Sequence, residues 1–372
     1  MREFIQHLTH AMEREPLHRS WENRQRRLEL AEYLGMFLLG VFNPIVTSMR
    51  GLCQASHLRR VQKEICARPI SLGSFSEAQE VSDPKLLKKV YDRLATQIAK
   101  RRQTPSESAN PYARIMQIVD STLWYALPRM HWAVWRKQHG TQRAFRLHAR
   151  FQVADDLPST FTITQGRRCE RLEWEGMAQA GDFYVGDRYY GEDYGLLGRL
   201  MALGCFFAVR LRTDAQWVVE EELAVQEADR HAGVVWHAWV RLGKGGGGPR
   251  VRVIQISTDE EQMFIASNLT EQEMSAELVS LCYRDRWKVE LFFRWLKHTM
   301  KANHWMAESQ NGVSIQIYVT LIAAQLLMLF TGQRPNRRDL ELLQFMSMGI
   351  ADPEEVLALI RKRAASRKKR SI

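Results

Sequence analysis

Apolar residues recur at three- and four-residue spacing through much of the first hundred positions, the pattern of helices with one buried face. The stretches 19–34, 48–65 and 86–98 carry it, with basic clusters such as Arg24, Arg26 and Arg27 or Arg59 and Arg60 between the apolar positions. Asp83 and Pro84 give a start for the third. A Ser/Pro/Asn-rich stretch, 103–111, reads as a linker. Beyond it, short apolar or alternating runs predict strands at 113–121, 144–153, 160–165, 181–187, 206–211, 217–223, 234–242, 251–256 and 263–266, with helices at 170–179 and 195–203. Helical spacing returns from about residue 271 and includes an apolar run at 313–330 and a short patch at 353–361.

Within the C-terminal helical text, 283–297 carries an unusual stripe. At about 100° per helical residue, Arg286, Glu290 and Lys297 fall roughly −60°, −20° and −40° from Tyr283, with Arg294 near +20°. Val289, Leu291, Phe292, Phe293, Trp295 and Leu296 fan around the rest, predicting a helix buried nearly all round with one polar face. A carboxylate flanked by cations and a phenol can hold a metal while its neighbours hold phosphate oxygens. The same residues also make i,i+4 ion pairs, Arg286/Glu290 and Glu290/Arg294, of the kind found on solvated faces. Upstream, two predicted strands end in acids, Asp120 and Asp187. A strand-end carboxylate can face a metal, and it can equally start a turn or cap a helix.

Composition narrows the partners. The chain of 372 residues has a formal charge of +11. Residues 1–110 hold 18 Lys/Arg against 12 Asp/Glu, and 361–372 hold seven Lys/Arg and no acid, so the middle is nearly neutral and the ends are basic. That layout suits a catalytic middle with extremities that grip a polyanion. Cys53, Cys66, Cys169, Cys205 and Cys282 are widely spaced without a CxxC pair, so neither a disulfide framework nor a zinc site is expected, and a reducing cytosol is. The N-terminus opens with charges and no apolar core, so no secretory leader is expected. The run 313–330 is long enough to span a bilayer, but Gln316 and Gln325 lie inside it, and a buried core helix is expected instead. The glycine-rich stretch around Lys244 lacks the order of a phosphate loop and reads as a hairpin tip.

The spacing Tyr283, Arg286, Glu290, Lys297 resembles the signature of bacterial insertion-sequence DDE transposases of the IS-Four (YREK) group, and Asp120-Ser-Thr and Asp187-Arg-Tyr resemble its two upstream acids. The resemblance covers about 110–330. It implies an α/β fold with a ribonuclease-H-like catalytic core at 106–330, a β-rich insertion at about 213–268 between the second and third acids, a helical, DNA-binding domain at 1–105, and a helical segment with a basic tail at 331–372. It further implies Asp120, Asp187 and Glu290 as catalytic ligands of two Mg2+ or Mn2+ ions, and Tyr283, Arg286, Arg294 and Lys297 as DNA-binding residues. Trp287 or Trp305 would stack on an unpaired base. The implied reaction is cut-and-paste transposition by phosphodiester hydrolysis and strand transfer, on terminal inverted repeats and target DNA. A homodimer acting in the bacterial cytoplasm at the nucleoid, away from any membrane, is the expected setting. Two other readings stay open: a metal-dependent nuclease on the same fold, and a catalytically silent DNA-binding regulator derived from it.

Overall fold

The computed structural model describes residues 6, 9–10, 12, 21, 27–43, 45–101, 112–136, 142–258, 261–302, 304–332 and 334–368. The expected linker, Arg24 and Arg26, and the end of the basic tail lie outside them. The chain divides into two compact units, one formed by Met1–Gln103, Ala126–Trp132 and Arg294–Ile372, the other by Thr104–Tyr125 and Ala133–Phe293.

In chain order the first unit contains helices α1 (Leu30–Phe42), α2 (Met49–Ala55), α3 (Arg59–Glu64), α4 (Leu72–Val81) and α5 (Pro84–Arg101). The second contains β1 (Met116–Tyr125), β2 (Val134–Arg136), β3 (Gln142–Gln152), β4 (Leu157–Gln165), α6 (Glu170–Met177), β5 (Phe183–Gly186), α7 (Arg188–Gly191), α8 (Tyr194–Ala202) and β6 (Phe206–Arg210). It continues through β7 (Trp217–Glu222), α9 (Glu227–His231), β8 (Val234–Leu242), β9 (Arg250–Ser257), β10 (Gln262–Ser267) and α10 (Ala276–Asp285). Helix α11 (Trp287–His298) crosses the division, and α12 (Gln310–Thr331), α13 (Arg337–Ser347) and α14 (Pro353–Lys368) complete the first unit.

The helical unit is built on α12. Its apolar residues are buried on nearly every side, with α5, α1 and α4 against it. Length and composition alone would let this helix cross a membrane. Its two interior glutamines find partners within the unit: Gln325 donates to the Tyr91 carbonyl at 3.1 Å, and Gln316 accepts from the Met306 amide at 3.0 Å. The run 48–65, expected as one helix, is two, because the backbone turns at 56–58. Helix α4, which the apolar spacing did not announce, buries Phe75 among Tyr33 and Phe37, with ring centroids 5.0 and 5.2 Å away.

The sheet unit has one continuous sheet in the order β2-β3-β1-β5-β6-β10-β9-β8-β7, with β4 also on β3. β3 and β4 run antiparallel from β1 outward, whereas β5 and β6 join its other side in parallel. The stretch 213–268 supplies β7 to β10, which extend this sheet antiparallel from β6. The last strand, β7, ends in three glutamates. Glu220 binds Arg241 and Arg250, each at 2.7 Å, so the sheet edge carries charge rather than a bare apolar ribbon.

Side chains alternate across β1, and the two faces of the sheet there differ. Ile118 and its cross-strand partner Phe151 lie on one face, where the Phe151 ring meets Phe292 of α11 at 5.4 Å. On the other face, Gln117 and Ser121 lie beside the alternating polar side chains of β3: Arg146, His148, Arg150 and Gln152. Each of those four β3 side chains is hydrogen-bonded or ion-paired, as burial of polar groups requires.

Candidate active site

Asp120 stands in the middle of β1, not at its end as the sequence pattern predicts, because β3 continues to pair with β1 out to Tyr125. Asp187 follows β5 directly and caps α7, accepting the Tyr189 amide at 2.9 Å. The parallel register sets Ile118 opposite Val185, and two residues further on it brings Asp120 level with Asp187. Their charges act on each other. Burial first, and then the Asp187 carboxylate, push Asp120 up to about 7, against the Ser121 amide that its Oδ1 accepts at 2.7 Å and the cation Arg286. Asp187 is likewise raised by burial, with Arg286 and the Tyr189 and Tyr190 amides opposing.

Arg286 links this pair to the third acid. It closes α10 and opens α11, and its backbone contacts on both sides are three residues apart instead of four. The expected single helix is therefore two, joined at the cation of the stripe. The guanidinium binds Glu290 at 2.7 Å and lies 5.9 Å from the Tyr283 ring centroid, so these three residues do share a face. Tyr283 is buried, and burial raises its phenol while Arg286 and a hydrogen-bonded Arg210 oppose that shift. Arg210 is also held by Glu261 at 2.7 and 3.1 Å.

Asp120 and Asp187 are thus brought together, and Glu290 is joined to them through Arg286. Among the described residues, no three His, Cys, Asp or Glu side chains converge closely enough to hold a metal. The aspartate pair fits a hard divalent cation: the repulsion that Asp120 meets from Asp187, and the burial that raises both, are relieved when a dication takes the proton's place. Glu290, as it stands, is engaged by Arg286.

The predicted helix burial also needs correction. Trp287 is 49% and Leu291 39% exposed, so α11 is apolar on one side only. Arg294 is exposed, and Lys297 is half-buried, with burial lowering its ammonium. Both lie on the part of α11 that belongs to the helical unit. Trp305 is 8% exposed and so offers no face for stacking; Trp287 does.

Several residues escape sequence reasoning. Tyr190 is fully buried beside Asp120, Glu170 and Asp187, all three of which raise its phenol after burial itself. Gly191 sits so close to β6 that a Cβ on it would come within 2.1 Å of the Arg210 carbonyl oxygen. Glu170 and Arg146 form an ion pair on the polar face of β1. The one available sign was the period-two run Arg146, His148, Arg150, Gln152, which marks a strand face that must meet polar partners.

A family profile described as the transposase DDE domain matches residues 112–326. A Sinorhizobium fredii protein named as transposase y4zB is 25% identical over 243 residues, covering 63% of this chain and 66% of its own length. The named transposase of insertion sequence element IS5377 from Geobacillus stearothermophilus is 24% identical over 242 residues, covering 64% and 62%. That of element IS4SA from Synechocystis is 30% identical over 93 residues, covering 24% and 28%. The chain thus spans just under two thirds of the length of the first two relatives. Among solved structures, a piggyBac transposase synaptic complex with hairpin DNA aligns over 97% of this chain and 79% of that one, at a TM-score of 0.41 and 10% identity. With both aspartates and the Glu290 helix inside the matched span, the chain belongs to the family of transposases with a DDE domain.

Proposed function

We propose that this protein is an insertion-sequence transposase that cuts its element from DNA and joins the freed 3′ ends to a target. The observation that carries the reading is the parallel register that levels Asp120 with Asp187 inside the matched domain. The strand order β4-β3-β1-β5-β6, antiparallel on one side of β1 and parallel on the other, supports a ribonuclease-H-like core. On this reading β7 to β10 are the insertion between the second and third acids.

Asp120 and Asp187 are the residues that would hold two Mg2+ or Mn2+ ions, with Glu290 as the third ligand once its carboxylate leaves Arg286. Bound there, such ions would activate the attacking oxygen and neutralise the departing one at the scissile phosphate. The chain's own contribution is placement. Burial and mutual repulsion keep the aspartates receptive to a cation, and Tyr283 and Arg286 offer a phenol and a planar fork to phosphate oxygens. Arg294 and Lys297, in the helical unit, would add further DNA contacts. The partners would be terminal inverted repeats and target DNA, the N-terminal helical region and basic tail would add DNA contacts, and a homodimer in the bacterial cytoplasm, at the nucleoid, would hold two ends.

Purified protein, a labelled duplex carrying the element end, a target plasmid and Mg2+ test the reading. Nicking followed by joining is expected. Cuts without joining favour a plain nuclease, and nicking that survives Asp187→Ala or Glu290→Ala removes the assignment.

A further inference from the structure

Two adjacent residues in the first turn of α6 hold the two aspartate-bearing segments, one each. Ser121, the neighbour of Asp120, donates its hydroxyl to Glu170 and accepts from Arg146 at 2.8 Å, while Arg146 is itself ion-paired to Glu170. The Ser121 amide is the group that the Asp120 carboxylate accepts. Arg171, next in sequence, donates Nε and Nη2 to the Tyr189 carbonyl at 3.0 and 2.6 Å. It also lies 4.2 Å from the Tyr189 ring centroid and is ion-paired with Glu192 at 3.0 Å. The Tyr189 amide is the donor to Asp187. Further along the same helix, Trp174 packs edge-on against Tyr190 at 4.9 Å, so α6 cannot slide without moving α7.

We infer that α6 is a clamp in which Glu170 and Arg171 are positioning residues, fixing the separation of Asp120 and Asp187 through Ser121 and Tyr189. The inference rests on the proposed role of the two aspartates as cation ligands. Neither clamp residue touches the reacting atoms; each orients a backbone amide that in turn orients a carboxylate. Partners of this second rank set metal affinity strongly, since a ligand free to rotate loses preorganisation.

The test uses the full chain and Mn2+ alone. Ser121→Ala leaves the Glu170–Arg146 pair intact and releases only the strand, and Arg171→Ala removes a side chain that is not deeply buried, so both variants should fold. Calorimetric Mn2+ titration is expected to show each weakened by about 10- to 100-fold. Ser121→Thr, which keeps the hydroxyl, restores the affinity. In nicking assays, the loss appears as a raised half-saturating Mn2+ concentration, with the maximal rate within about threefold of the unsubstituted protein. Unchanged Mn2+ affinity in both variants, whatever their melting temperatures, overturns the clamp, as does an unsubstituted protein that binds no Mn2+. Failure of the functional reading appears elsewhere: protein that binds Mn2+, loses it on Asp120→Ala and never nicks DNA refutes transposition, and the clamp is then judged on calorimetry alone.

Discussion

Asp120 stands on β1 and Asp187 just beyond the end of its neighbour β5, each accepting a backbone amide and each backed by α6, whereas Glu290 stands on a helix and takes its setting from one guanidinium. On the strand side, geometry is fixed by ladder hydrogen bonds and half-buried ion pairs. On the helix side, it is fixed by how α11 seats on the sheet through Phe292 and by where Arg286 points. A site assembled this way has a rigid half and an adjustable half, and the two should respond differently to substitution.

The sharpest contrast is in the chemistry. Asp120→Ala or Asp187→Ala should lower the nicking rate by about a thousandfold or more, since several kcal/mol of charge stabilisation leave with the ligand. Glu290→Gln should fall short of that, and a loss equal to that of the aspartates, measured on the same duplex, would erase the distinction between the halves. Next in size is the helix seat. Phe292 is fully buried against the β1–β3 face, so Phe292→Ala should lower unfolding free energy by about 3–5 kcal/mol in urea titration. A change under about 1 kcal/mol would show that α11 does not depend on that contact.

Arg286→Lys keeps the charge and loses the planar fork. A drop in nicking of about tenfold at fixed DNA concentration is expected, because the ammonium cannot hold Glu290 and a phosphate oxygen with the same geometry. Full activity would mean that only charge matters there. The smallest effect is a pH dependence. The folded chain holds a proton on Asp120 up to about 7, whereas an exposed aspartate releases it near 3.8. Folding therefore takes up a proton between those values, and without divalent ions stability should fall as pH rises through that window. Asp120→Asn should lessen the slope, leaving the part that Asp187 contributes, and raise the melting temperature by a few degrees at the alkaline end; an unchanged slope would mean that Asp120 is solvated.

Much of this was legible from residue order. Strand β8 has the limits its alternation predicts, β5 stops one residue before Asp187, and the apolar run 313–330 is the core of α12. What escaped reading is what depends on partners distant in sequence. Asp120 reads as a strand end because the apolar run stops there, yet β3 holds Ser121 and Thr122 in the ladder. The break at Arg286 is invisible to a rotation of fixed angle, since a residue in helical backbone can still shorten the hydrogen-bond step. The pairing of Glu170 with Ser121 joins residues 49 positions apart, and no periodicity encodes it.

Gly191 limits what substitution the site tolerates. With the β6 carbonyl lying where a methyl group would go, even alanine there would lever the α7 turn outward and carry Asp187 off the level of its partner. In a saturation library selected for jumping DNA, that hydrogen-only position should be as empty of survivors as the acids, and an allele altered there would be silent for want of space rather than for want of a reactive group.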